Sequence, residues 1–122
     1  MTALSLVWGM CSCCGKKDWC SLEKINLNHE YFDSLEGVFI IWSGKDAVIK
    51  IGSGHIRNKV NEHRSDMDIT RFPELHVTWA KLDPRHRVGA EKYLASMLRP
   101  LLPAVIPDEV DALIVNIPPN LK

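Results

Sequence analysis

The chain carries no excess charge of either sign: its 15 Lys and Arg balance 15 Asp and Glu. Any basic surface must therefore come from how the charges are distributed. No apolar run approaches the ~18 residues needed to span a membrane, so no membrane partner is expected. The first ten residues are apolar, but no basic side chain precedes them, so a secretory signal is not expected either. These absences predict a cytoplasmic protein whose 4 cysteines are reduced or metal-bound. There are no internal repeats. Tyrosine is scarce, with 2 in the chain, Tyr31 and Tyr93. A length of 122 residues fits one domain with a small appendage, and it can bury a core without disulfides.

The charge is unevenly spread. Residues 37–100 hold 11 Lys and Arg against 7 Asp and Glu. Residues 1–36 hold 3 against 5, and residues 101–122 hold 1 against 3. A modest positive patch on the central part suits a phosphate-bearing partner. An ordinary solvated surface accounts for the same balance.

The pattern divides the chain into a Cys-rich segment over 1–36 and a domain over 37–122. Residues 37–43 and 47–52 are β-branched runs around a Gly-Lys-Asp turn, and the second run stops at a glycine that opens a helix. The reading continues as helix 55–65, strand 75–81 and helix 84–99. Asp83 and Pro84 start the last helix and Pro100 helps to end it. Ile56, Val60 and His63 share one helical row. Strand 75–81 alternates Leu75, Val77 and Trp79 against His76, Thr78 and Ala80, which predicts one buried face. Residues 112–117 read as an additional edge strand. The order ββαβα predicts a small mixed α/β or α+β sheet with helices packed on it.

Glu91 is the sharpest single residue. With Val88 and Leu98 it falls on what reads as the apolar row of helix 84–99. An inward carboxylate needs a hydrogen bond, an opposite charge or a cation.

Gly37-Val38-Phe39, Lys50-Ile51-Gly52, the helix after them and Ala90-Glu91-Lys92-Tyr93-Leu94 resemble the core of the GIY-YIG nuclease superfamily, over about residues 37–102. The resemblance implies a three-stranded antiparallel sheet flanked by helices. It implies metal-dependent phosphodiester hydrolysis, with Glu91 as the ligand of Mg²⁺ or Mn²⁺. It places a phosphate-contacting cation on the first helix, where either Lys59 or Arg57 can serve, and a histidine one turn on, at His63. Both signature tyrosines are replaced. Phe39 keeps the ring without the hydroxyl, and Lys50 stands at the second position, as in phage-type relatives. Loss of a positioned acid or base typically costs ~10²–10⁴-fold in rate, so weak activity is expected. Asn116 is carried over as the family's late asparagine. Gly52-Ser53-Gly54 reads as a turn that either serves the fold or brings backbone N–H groups to an anion.

Cys11 and Cys14 form a C-x-x-C followed by Gly15 and Lys16, the shape of a zinc knuckle. Cys20 is a natural third ligand of Zn²⁺, and Cys13 or His29 the fourth. No second C-x-x-C accompanies it, and buried thiols or a redox pair explain the same residues. Three functions follow as expectations. The first is an endonuclease acting on nucleic acid, DNA foremost. The second is a binding module on the same fold without the chemistry. The third is a metal-stabilised adaptor built on the cysteine segment.

Overall fold

Three β-branched residues in a row of six, Val38 to Ser43, are all buried in the central strand of the protein. The computed structural model describes residues 3–9, 19–44, 47–103, 106–107, 109–118 and 121. The elements among them are β1 (Ala3–Leu4), β2 (Cys20–Ser21), a 3₁₀ turn (Glu30–Phe32), β3 (Glu36–Ser43), β4 (Ala47–His55), α1 (Ile56–Arg64), α2 (Met67–Thr70), β5 (Leu75–Lys81), α3 (Pro84–Leu98) and β6 (Ile114–Val115). The fold is α+β, with an antiparallel sheet flanked by helices.

The main sheet has four strands in the order β2-β5-β3-β4. The expected three are β5, β3 and β4. The fourth arises because Cys20 and Ser21 pair with Val77 and His76. One cysteine of the expected Cys-rich appendage is thus part of the main sheet. Cys11, Cys13 and Cys14 lie outside the described residues.

Both faces of the sheet are covered. Under α1 lie Phe39, Ile41, Ile49, Ile56, Val60 and Trp79, joined by Leu22, Leu27, Phe32 and Leu35 from the segment before β3. Under α3 lie Val38, Ile40, Ile51, Ala80, Ala90 and Leu94, joined by Leu6 and Trp8. Full burial of such a side chain contributes about 1.5–3 kcal/mol. This corrects the expectation for β5: Val77, Thr78, Trp79 and Ala80 are all buried, because the strand is covered on both faces, with Trp79 against Phe32, Thr78 donating to the Gly9 carbonyl and Ala80 in the α3-side cluster.

The helix ends follow local chemistry. Asp83 accepts from the His86 N–H at 3.2 Å at the start of α3, and Arg99 closes it in the left-handed conformation, φ 48°. The buried row of α3 is Ala90 and Leu94, four apart. Val88 is exposed, so the expected row of Val88, Glu91 and Leu98 is not the inward one. Glu91 sits at the border of the buried row.

The expected late strand is shorter and lies elsewhere. It is β6, and it pairs in parallel with β1 through Ala3 opposite Ile114 and Leu4 opposite Val115, outside the main sheet. None of the helices among the described residues is long and apolar enough to cross a membrane.

Candidate functional site

β4 is the outer strand of the main sheet, next to β3. The backbone of Leu101 and Leu102 bonds to the Val48 and Ile49 carbonyls, at 3.0 and 2.9 Å, along its outer edge. The candidate site occupies the stretch that follows, Lys50 to Gly54.

A bulge lies just before that stretch. Ile41 opposes Lys50, but the next residue of β3, Trp42, opposes Val48, so Ile49 is the extra residue. Lys50, opposite Ile41, stands on the α1 side, two cross-strand pairs from Phe39 and Gly52. Phe39 is buried, and its ring meets the His63 imidazole with centroids 5.4 Å apart. The ring also covers Gly52: a Cβ there would lie 2.5 Å from the tip of the Phe39 ring. Only glycine fits beneath it.

Ser53 faces the other side, opposite Val38. Its hydroxyl donates to Glu91 Oε2 at 3.1 Å. Gly54 has φ 132° and lies against the stem of Lys59, whose Cε is 3.2 Å from where a Cβ would stand. The site thus wraps the edge of β4, with Lys50, Lys59 and His63 gathered from one side and Ser53 and Glu91 from the other.

The electrostatics tie these groups together. Burial raises the Glu91 carboxyl above its ordinary range, against the Ser53 hydrogen bond and the charges of Lys50 and Lys59. Burial lowers the His63 imidazole, and the Lys50 charge lowers it further. The two lysines therefore act on both groups. Burial thus favours the neutral form of His63, and among the described residues its buried Nδ1 has no hydrogen-bond partner.

The other expected site residues are occupied differently. Arg57 donates to the Leu27 carbonyl at 2.6 Å, the His29 carbonyl at 2.9 Å and Asp33 Oδ1 at 2.6 Å. It anchors the segment before β3, so Lys59 is the first-helix cation whose charge acts on Glu91. Lys59 itself has a loose pairing with Glu62 at 3.9 Å. Gly37 lies opposite Gly54 in the hairpin register. Asn116 is bonded through its side chain to both backbone groups of Leu6. His29 caps the 3₁₀ turn by accepting from the Tyr31 N–H at 3.0 Å.

Ser53 is the member of the site that sequence reasoning missed. Its triplet reads as a turn, whereas all three residues extend β4. The available signal was one hydroxyl between two glycines at the end of a strand that feeds a helix.

Among the described residues no ion pair involves Glu91, and Ser53 satisfies only one of its oxygens. A single half-buried carboxylate fits Mg²⁺ or Mn²⁺, which complete their shells with water and phosphate oxygens. Among the described residues no three His, Cys, Asp or Glu side chains converge as a metal-binding group. Comparison with family models, with curated proteins and with solved structures finds no match to this chain.

Proposed function

We propose that this chain is a divergent GIY-YIG-like domain that acts on nucleic acid, DNA foremost, by weak metal-assisted hydrolysis of phosphodiester bonds. One observation carries the reading: Glu91 is a half-buried carboxylate, held by Ser53 at the sheet edge, in the field of Lys50 and Lys59. A carboxylate with no ion pair among the described residues, in the field of two lysines, suits a site completed by a cation and a phosphodiester together. A divalent cation held by Glu91 would polarise the phosphate and stabilise the leaving oxygen. Lys59 and Lys50 neutralise the charge of the phosphodiester. His63, whose neutral form burial favours, can take a proton from the attacking water. Phe39 presents only a ring at the position of the missing hydroxyl. The zinc reading of the cysteines remains a proposal from the sequence alone.

A binding module without chemistry is the second reading. It is favoured by Phe39, which is fully buried against His63 and Gly52 and has no proton to relay.

Plasmid and branched DNA with Mg²⁺ or Mn²⁺ separate the two. Wild type should nick slowly, and Glu91→Ala should abolish nicking while the chain stays folded. Phe39→Tyr should raise the rate ~10-fold or more, toward the range typical of a positioned acid/base group. Equal background cleavage by all three proteins would sink the hydrolytic reading. Salt-sensitive DNA binding in that case would establish the binding module.

A further inference from the structure

The triplet Gly52-Ser53-Gly54 contacts a different group of the site with each residue. Gly52 lies under Phe39, the ring against which His63 packs. Gly54 lies under the stem of Lys59. Between them, Ser53 places its hydroxyl on one oxygen of Glu91. The alternation of the strand makes this arrangement possible. Ser53 projects to the α3 side of β4, opposite Val38, while its two neighbours leave open backbone for groups of the α1 side.

Glu91 has several rotatable bonds and lies on a helix, α3, separate from the lysines whose charges act on it. Without a fixed partner its carboxylate is free to swing toward an ammonium. The Ser53 hydroxyl occupies Oε2, which leaves Oε1 as the oxygen with open lone pairs. A hydroxyl that donates to the second oxygen of a ligating carboxylate fixes its orientation and tunes its affinity.

We propose that Ser53 is the positioning residue of this site: its hydroxyl holds Glu91 so that one carboxylate oxygen is presented, unpaired, to a divalent cation at the edge of β4. The inference rests on the reading of Glu91 as the metal ligand. Its role is distinct from that of Glu91, because Ser53 acts through the carboxylate.

Mn²⁺ itself is the probe. Titration into the full chain, followed by paramagnetic broadening of backbone amide signals, reports occupancy even for a weak site. In wild type the amides of Gly52, Gly54 and Glu91 should broaden first. Glu91→Ala should lose that local broadening. Ser53→Ala should need about 10-fold more Mn²⁺ for the same effect, the usual loss when such a supporting contact is removed, with an unchanged melting temperature. Ser53→Thr, which keeps the hydroxyl, should titrate close to wild type. If Ser53→Ala matches wild type while Glu91→Ala fails, the role of Ser53 is overturned and the metal ligand stands. If Ser53→Thr behaves like Ser53→Ala, the hydroxyl is not responsible and the proposal is likewise overturned. If wild type and Glu91→Ala broaden alike, or neither responds, Glu91 is not the ligand and the role of Ser53 falls with it.

Discussion

Burial and two lysines act on Glu91 in opposite directions, and burial prevails. This has a consequence for stability that is independent of any chemistry. The carboxyl group holds its proton to higher pH in the folded chain than in the unfolded one. Its contribution is most favourable below the unfolded value of about 4.3 and is lost as pH rises through the folded value. Glu91→Gln keeps the shape and an acceptor for Ser53 but carries no charge to desolvate. In buffer free of divalent cations the variant should melt a few degrees higher than wild type at neutral pH. The advantage should shrink as pH falls toward about 4. Melting curves across that range test it, and a gap independent of pH would remove the desolvation account. The same residue shows what a sequence can and cannot convey. Helical spacing put Glu91 near an inward face, and the structure agrees that it is half-buried. The identity of that face did not follow, because Val88 is as apolar as Leu94 and only packing distinguishes them.

Strand β4 is the element on which the site depends, and its pattern was only partly legible. Two β-branched runs around a short turn were enough to place the hairpin, and helix caps at Asp83 and Pro100 were enough to bound α3. Three features were hidden. The bulge at Ile49 leaves no trace in composition, yet it puts Ile49 on the same side of the sheet as its neighbour Lys50. The glycines at 52 and 54 read as chain breakers, although in β4 they are places where other side chains lie against the backbone. The pairing of Cys20 and Ser21 with β5 is too short to generate any periodicity. The tight fit at Gly52 makes a testable case. Gly52→Ala sets a methyl against the Phe39 ring and should destabilise the chain by about 1–3 kcal/mol in urea unfolding, the usual cost of overpacking. Phe39→Leu shortens the ring side and relieves the clash. The double variant should therefore lose less than the sum of the two single losses. Additive losses would show that the two residues do not press on each other.

At the scale of the whole molecule, the described residues outside 37–102 bind the sheet rather than hang from it. Leu6 and Trp8 enter the core on the α3 side, and Leu22, Leu27 and Phe32 enter on the α1 side. Arg57 ties the segment before β3 to α1, and Arg64 does the same through the carbonyls of Leu22 and Ile25, at 3.0 and 2.5 Å. Asn116 joins the two ends of the chain. Its Oδ1 accepts from the Leu6 N–H at 2.5 Å, its Nδ2 donates to the Leu6 carbonyl at 2.9 Å, and its own carbonyl accepts from Trp8 Nε1 at 3.0 Å. The side-chain amide thus pairs with Leu6 as another strand would, continuing the two-residue pairing of β1 with β6. The resemblance carries Asn116 over as a late asparagine near the site, whereas its contacts assign it to closure of the fold, and one variant distinguishes the two. Asn116→Ala leaves both backbone groups of buried Leu6 without that partner, at a cost of about 1–3 kcal/mol. Urea unfolding should show this loss, while Mn²⁺-induced broadening at Gly52, Gly54 and Glu91 in the folded variant stays as in wild type. A variant of wild-type stability with a lost Mn²⁺ response would instead place Asn116 in the site.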